Sequence, residues 1–380
     1  MEAAPFIEVN RAITEAGGED LNLCYQCGKC TSTCPWGLVR EFNVRKIIRL
    51  AQAGLEGFES GDLWLCTTCG ACVQGCPREV GIIDLMRAMR NIIMESGSSP
   101  PPLRTVIGSI NSQGNPLSEK RELRTDWAKG LTEVKIIDKV TDYLLFICCF
   151  SAYDPRSQKV TVALSRILHE AGVNFGIIGI EESCCGESIR KIGGESLFAD
   201  LVEKNSRFFW KFGVEKVITT SPHCYQTFKN DYPFLGKKFK TLHYTQLIAE
   251  LIEDKRLSFS KLTEHKVTYH DPCYLGRHNG VFDPPRRVLK AIPGIELVEM
   301  ERSKENGLCC GGGGGGLWME VPKGERFSEW RIEEAIGTGA EILVTACPYC
   351  FAMLEDARLS LNKEDVIKVM ELPELIIKAL

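Results

Sequence analysis

Eight cysteines near the N-terminus form two runs of identical spacing, each reading C-x2-C-x2-C-x3-C-P. This spacing is typical of a chain that binds two iron–sulfur clusters, because the close triplet wraps one cluster and the fourth cysteine ligates the other. We therefore predict two cubane [4Fe–4S] clusters with crossed ligands. The ligand sets are Cys24, Cys27, Cys30 and Cys76 for one cluster, and Cys66, Cys69, Cys72 and Cys34 for the other.

Structural zinc is the alternative for these runs, but four ligands per zinc leave no reason for the x3-C-P ending. Gly28 and Gly70 follow the second cysteine of each run. We expect both glycines to let the backbone bend around a cluster. Crossed ligands hold two clusters close together, which suits electron transfer better than substrate chemistry.

A third set of cysteines lies near the C-terminus: Cys273, Cys309 and Cys310 before Gly311, and Cys347 and Cys350. Five thiolates exceed the four that a cubane needs, so this spacing by itself predicts a five-thiolate metal site.

The middle of the chain repeats this pattern incompletely, with Cys149, Cys184, Cys185 and Cys224. Ser221 stands where the fourth of five cysteines is expected, and Cys148 and His223 are candidate substitutes. Three interpretations stay open for this site: a cubane or altered cluster, a structural zinc, or a thiol pocket without metal.

The elements that must position these cysteines also repeat. Apolar strands predicted at 142–150 and 266–273 each end at a cysteine, and strands alternate with helices after them, which indicates two α/β units with parallel strands. Helices are predicted within 39–54 and at 82–94. The predicted fold class is α+β multidomain. It comprises a helical dicluster ferredoxin-like domain (1–96), a connector (97–140), a first repeat (141–255) and a second repeat (256–380).

Composition narrows the class of protein. A net charge of −4 gives no reason to expect nucleic acid as a partner. The N-terminus has no secretory pattern, and no apolar run is long enough to span a bilayer. We therefore expect a cytoplasmic protein with reduced thiols, associated with a membrane only through a partner.

Smaller features have two interpretations each. The glycines at 311–316 leave room for a bulky substrate or donate N–H groups to sulfides, or they form a flexible loop. His270, Arg277 and His278 flank Cys273 as candidate proton donors, unless they bind backbone or water. Basic residues around the first predicted helix are a solvated face or a docking face for an acidic partner. These residues are Arg40, Arg45, Lys46 and Arg49.

The motifs at 270–273, 309–311 and 347–350 resemble those of the CCG-domain iron–sulfur family. With the ferredoxin segment in front, the chain resembles the heterodisulfide reductase polypeptide that fuses a ferredoxin segment to two CCG segments. It is also similar to iron–sulfur subunits of anaerobic glycerol-3-phosphate dehydrogenase and glycolate oxidase. The resemblance implies a noncubane [4Fe–4S] cluster that cleaves a disulfide in two one-electron steps. Its implied site residues are Cys273, Cys309, Cys310, Cys347 and Cys350, with His270 beside them.

These observations predict an iron–sulfur oxidoreductase subunit that is active within a complex. Electrons from a flavoprotein, cytochrome b or dehydrogenase partner would pass through the two cubanes to the C-terminal cluster, which reduces a disulfide. The alternative is an electron relay, without its own substrate, that delivers electrons to quinone or to another reductase.

Overall fold

The structure is a computed structural model that describes residues 7–138 and 141–380. Residues 1–6 of the predicted ferredoxin-like domain and residues 139 and 140 of the predicted connector lie outside the described residues. Helices fill the N-terminal part, and strands alternate with helices in the rest, so the predicted α+β class is confirmed. No helix among the described residues is both long enough and apolar enough to cross a membrane.

The N-terminal part is helical because its apolar residues recur at helical spacing, and the helix that follows Asn43 is capped at both ends. The Asn43 side chain accepts a hydrogen bond from the Lys46 N–H at 3.0 Å, and the helix that follows ends at Gly54 in the left-handed region. Both predicted helices are present, as α3 and α5. The helices are α1 (Ile7–Glu15), α2 (Lys29–Thr33), α3 (Val44–Ala53), α4 (Ala71–Gln74) and α5 (Ile82–Glu95).

The segment predicted as a connector contains a further helix, α6 (Pro101–Gln113). Leu103, Val106 and Ile110 recur every three to four residues and are buried on one face of it. Trp127, in the 3-10 helix that follows, is also buried. The segment therefore packs against the rest of the molecule along most of its described length.

Each repeat contains one four-stranded parallel sheet, as predicted, with strand orders β2-β1-β3-β4 and β6-β5-β7-β8. The first-repeat elements are β1 (Tyr143–Phe146), α7 (Cys149–Tyr153), α8 (Pro155–Glu170), β2 (Phe175–Gly176), α9 (Glu187–Lys191), α10 (Glu195–Lys211), β3 (Lys216–Thr219), α11 (Pro222–Gln226), β4 (Lys240–His243) and α12 (Tyr244–Glu253). The second-repeat elements are β5 (His265–Tyr269), α13 (Asp283–Ala291), β6 (Ile295–Val298), α14 (Phe327–Gly337), β7 (Ile342–Thr345), α15 (Pro348–Ser360), β8 (Lys368–Glu371) and α16 (Leu372–Ala379).

The strands end before their cysteines rather than at them. β1 stops at Phe146 and β5 at Tyr269, so the cysteines that follow lie in loops and first helical turns. In each sheet the two central strands, β1 with β3 and β5 with β7, are direct neighbours. Cysteines distant in sequence therefore meet at the carboxyl edge of each sheet, where open α/β sheets place their sites.

Candidate iron–sulfur sites

One group of ferredoxin cysteines surrounds a small internal cavity. Cys66, Cys69 and Cys72 of the second run line it together with Cys34 of the first run. Burial and the neighbouring thiols of Cys69 and Cys66 raise the pKa of Cys34. Cys69 and Cys72 are buried and the other two thiols are partly buried. A bound metal would convert these four thiols to thiolates, so they fit an iron–sulfur cluster.

The other ferredoxin group lies at the surface. Cys30 has Cys24 and Cys27 as neighbours, and Tyr25 lies beside Cys27 and Cys76. Cys27 is exposed, whereas Cys30 is buried. The loops of the two groups contain Gly28 and Gly70, both in the left-handed region that glycine adopts without strain (φ of 84° and 81°). One group therefore faces solvent and the other lies inside the molecule.

The second repeat brings its five cysteines together as a buried series in which each thiol interacts with the next. The order of the series is Cys273, Cys309, Cys310, Cys350 and Cys347.

Three of these thiols are biased towards thiolate. The pKa of Cys310 is lowered by hydrogen bonds from Cys309 and Cys350. Burial opposes the ionisation of Cys347, but hydrogen bonds from Cys350 and His223 lower its pKa to about 5. A hydrogen bond from Cys273 lowers the pKa of Cys309, and the Gly311 N–H donates to the Cys309 sulfur at 3.3 Å. Hydrogen bonds to the charged form favour it, so this donor set fits an iron–sulfur cluster.

This five-thiol series touches the inner ferredoxin group. The Cys69 thiol interacts with Cys309 and has its pKa raised by it, and the Thr67 hydroxyl oxygen is 3.8 Å from the Cys309 sulfur. Thr68 and Tyr274 share a hydrogen bond of 2.6 Å between their hydroxyls. The loop that binds one predicted cubane therefore adjoins the C-terminal site directly.

The glycine segment at 311–316 explains how the two loops come so close. A Cβ atom at Gly313 would overlap the carbonyl oxygen of Thr67, and one at Gly314 would overlap that of Cys66. The space beside these two glycines is filled by the ferredoxin loop, so the expectation that it is left for a substrate is wrong there. The expected N–H donation is present at Gly311.

Arg277 and His278 also hold this loop instead of pointing to solvent. Arg277 donates to the Cys69 carbonyl oxygen at 2.9 Å, and His278 Nε2 lies 3.0 Å from the Thr68 carbonyl oxygen. Sequence reasoning missed Arg90, which is fully buried on α5. Its guanidinium donates to the carbonyl oxygens of Leu63, Cys66, Lys191 and Gly314. The sequence signal that could have pointed to Arg90 is an arginine in the middle of an otherwise apolar helical pattern.

His270 lies beside the same thiols. Its Nδ1 accepts a hydrogen bond from Arg331 Nε at 3.1 Å. A ring nitrogen of His270 and the sulfurs of Cys310 and Cys350 all lie within 4.8 Å of one another. Burial and the Arg331 charge lower the pKa of His270 to about 3, so its ring is neutral near pH 7. The structure thus places this predicted site residue with the predicted ligands.

In the first repeat the cysteines again form a buried series in which each thiol interacts with the next. Its order is Cys149, Cys184, Cys185, Cys224 and Cys148. Of the two candidate substitutes for Ser221, Cys148 joins this series. His223 instead lies beside Cys347 of the second repeat, and its Nδ1 lies 3.2 Å from Glu187 Oε2.

A cavity of about 310 Å³ reaches the second-repeat thiols from outside. Cys310 and Gly311 form part of its wall, and the rest is mostly apolar, including Trp36, Trp64 and Phe327. The cavity lies between the ferredoxin-like domain and the second repeat. It is the kind of largely apolar concavity with few polar groups in which small molecules bind.

Comparison with known proteins identifies two kinds of domain in the chain. Residues 143–229 and 267–355 match the family described as a cysteine-rich domain, CCG, and residues 23–81 match a 4Fe-4S dicluster domain. A dihydromethanophenazine:CoB–CoM heterodisulfide reductase polypeptide of Methanosarcina barkeri is 33% identical over 95% of this chain and 94% of its own length. The chain belongs to this CCG-domain iron–sulfur family.

Two further relatives are longer than this chain. An iron-sulfur-binding oxidoreductase of Bacillus subtilis, FadF, is 38% identical, and an EtfAB:quinone oxidoreductase of Syntrophomonas wolfei is 36% identical. Each match covers 78% of this chain but only 43% of the relative. The fold is similar to the crystal structure of a hypothetical protein from Helicobacter pylori, with a TM-score of 0.56, 10% identity and coverage of 98% and 72% of the two chains.

Proposed function

We propose that this chain is the iron–sulfur subunit of a heterodisulfide-reductase-like complex, and that its second repeat reduces a disulfide. The observation that carries the proposal is the contact between Cys69 and Cys309, because it joins the ferredoxin thiols to the five-thiol series inside one protein interior. When bound, the clusters supply one-electron transfer over short distances.

The chain's own residues have three tasks in this proposal. The exposed group with Cys27 faces a redox partner that donates electrons, and Arg45, Lys46 and Arg49 lie exposed beside it on α3. Arg40 is not free for this docking face, because it pairs with Glu325 at 3.2 Å. The buried groups exclude water, and the apolar cavity admits the acceptor to Cys310.

The proposed reaction is balanced by two electrons and two protons. The sulfur–sulfur bond of the substrate breaks, each sulfur gains one electron and one proton, and two thiols leave. The electrons come from a reduced redox partner, such as a flavoprotein, and pass through the ferredoxin-like domain one at a time. The protons come from solvent.

A relay that reduces quinone is the second candidate, favoured by the apolar character of the cavity and by the 36% identity to the EtfAB:quinone oxidoreductase. In this case no disulfide bond is broken. The cavity would hold the quinone ring, and the same ferredoxin groups would supply its electrons.

The two functions separate in one assay with anaerobically purified, fully loaded protein and reduced viologen as donor. Disulfide reduction predicts two thiols released for every two viologens oxidised, with a water-soluble disulfide as acceptor. Viologen oxidation by a short-chain quinone, with no thiol released from any disulfide, would overturn the proposal in favour of the relay.

A further inference from the structure

The proposed function assigns no role to the buried cysteines of the first repeat. We propose that this repeat holds a polynuclear iron–sulfur cluster of its own, and that Cys148 supplies the fifth thiolate in place of the residue at position 221. The proposal concerns the ligands of this cluster and stands whether or not the second repeat reduces a disulfide.

The two thiol series agree link by link. In the first repeat Cys149 neighbours Cys184, and Cys224 neighbours both Cys185 and Cys148. In the second repeat the corresponding links run from Cys273 to Cys309, and from Cys350 to both Cys310 and Cys347. Four members correspond in sequence, and only the last comes from a different place in the chain. With Cys148 included, all 18 cysteines belong to one of four groups.

The backbone explains why a different residue completes the series. Cys148 directly precedes Cys149, at the position that Pro272 occupies in the second repeat. Its N–H donates to the Thr220 hydroxyl oxygen at 2.9 Å, which fixes it beside the end of β3. Proline has no N–H and could not make this bond.

Position 221 has a different task from position 347. The Ser221 hydroxyl oxygen accepts a hydrogen bond from the His223 N–H at 3.3 Å and caps helix α11. Cys347 is the residue before the matching helix α15, and its side chain makes no capping bond there. The sulfur of Cys347 is thus available to a metal, whereas Ser221 is used locally.

The surroundings of the first series match those of a ligand set. The Gly186 N–H donates to the Cys184 sulfur at 3.4 Å, as the Gly311 N–H does to Cys309 at 3.3 Å in the second repeat. Buried Arg124 lies 3.7 Å from the Cys149 sulfur and offsets the charge of thiolates there. Hydrogen-bond donors aimed at sulfur are a common support for iron–sulfur clusters.

The shape of the series favours a cluster over a single zinc ion. Zinc holds each sulfur at about 2.3 Å, so four zinc-bound sulfurs lie roughly 4 Å apart in a tetrahedron. Within the described residues, no three of the first-repeat sulfurs lie within 4.8 Å of one another. Five thiols in a series instead suit a cluster that contains several metal atoms.

The test compares metal content in four anaerobically reconstituted proteins: wild type, Cys148→Ala, Cys148→Ala with Ser221→Cys, and the control Ser151→Ala in helix α7, which begins just after Cys148. Wild type should hold about sixteen irons, and Cys148→Ala about twelve. The double variant should regain the lost iron, because a cysteine at 221 restores the ligand position used by the second repeat. The control should equal wild type, and the ferredoxin signals in electron paramagnetic resonance should persist in all four proteins.

Two results would overturn the proposal: wild-type iron in Cys148→Ala, or about one zinc with twelve irons in the wild type. A third result would contradict the claim that Cys148 replaces a cysteine at position 221 as ligand. In that result the double variant does not regain iron although its ferredoxin signals persist. If Cys148→Ala does not accumulate, Cys148→Ser keeps the side-chain volume. It should then lose the first-repeat iron or change its spectrum, and an unchanged wild-type spectrum would contradict the role of Cys148.

Discussion

The two repeats contain corresponding series of five thiols but differ in what those thiols meet. The second series contacts the ferredoxin loop at Cys69 and forms part of a cavity wall at Cys310. The first series is backed by the buried ion pair of Arg124 and Glu182. The first repeat meets the ferredoxin-like domain elsewhere, where Asn91 donates to the Gly193 carbonyl oxygen at 2.7 Å. The two series therefore differ in position more than in ligand type, and only the second reaches both the ferredoxin loop and the cavity.

The repeats are also interleaved. The residue just before the last cysteine of each CxxC-type segment, His223 in one repeat and Tyr349 in the other, points across to its neighbour. His223 lies beside Cys347, and the Tyr349 hydroxyl shares a hydrogen bond of 3.1 Å with the Ser188 hydroxyl of the first repeat. The two rings contact each other with centroids 4.4 Å apart. A change in one site therefore has a short path to the other.

The largest expected effect is on turnover, from corresponding cysteines in the two repeats. Cys310→Ala should lower viologen-dependent disulfide reduction more than about 100-fold, because it removes a ligand at the cavity wall. Cys185→Ala, its counterpart, should cost less than about 10-fold because the first repeat is away from the cavity. Equal losses in the two variants would remove the functional distinction between the repeats.

The next effect separates the two ways in which the repeats dock on the ferredoxin-like domain. Gly314→Val and Gly193→Val each place a side chain against backbone, at Cys66 and at Asn91 respectively. Each should lower the free energy of unfolding by about 2–3 kcal/mol in chemical denaturation. Only Gly314→Val should also alter the paramagnetic signal of the inner ferredoxin cluster. The control is Gly337→Ala at the end of α14, where a Cβ meets no atom outside its own helix, so stability should not fall.

A smaller effect tests the contact between His223 of the first repeat and Cys347 of the second repeat. Replacing His223 by Ala removes a hydrogen bond to Cys347, worth about 1.5 kcal/mol where charge is involved. The loss should lower the reduction potential of the second-repeat centre by about 60 mV, since hydrogen bonds to sulfur stabilise the reduced form. A redox titration followed by electron paramagnetic resonance measures it. An unchanged reduction potential would show that the His223–Cys347 contact has only a structural role. The control is Tyr225→Phe on the same helix.

The smallest effect concerns the ion pairs that link each repeat to the ferredoxin-like domain. Arg40 and Glu325 are both 37% exposed, so Arg40→Gln should cost less than about 1 kcal/mol of stability, and less again at high salt. Arg87, which pairs with Glu195 of the first repeat, is only 10% exposed, and Arg87→Gln should cost about 2 kcal/mol. A larger loss of stability in Arg40→Gln than in Arg87→Gln, measured by thermal unfolding, would contradict this ranking.

The sequence was sufficient for features set by short-range spacing. The C-x2-C-x2-C-x3-C-P runs, the repeated alternation of strands and helices, and both N-terminal helices follow from local patterns. The positions of Arg90 and Arg277 could not be predicted, because their partners lie up to 224 and 208 residues away. The sequence also left open whether Cys148 or His223 stands beside the first-repeat thiols in place of a cysteine at position 221. Their positions depend on packing, which sets Cys148 next to Cys224 and His223 next to Cys347.

Electron flow within a single turnover tests the central claim most directly. Fully reduced protein is mixed with one equivalent of disulfide, frozen at intervals, and the ferredoxin signals are followed by electron paramagnetic resonance as thiol is counted. The signals should decay in step with thiol release in the wild type, and more than about 100-fold more slowly in Cys310→Ala. Decay at the wild-type rate in Cys310→Ala, with thiol released, would contradict the claim that the second repeat receives these electrons and reduces the disulfide.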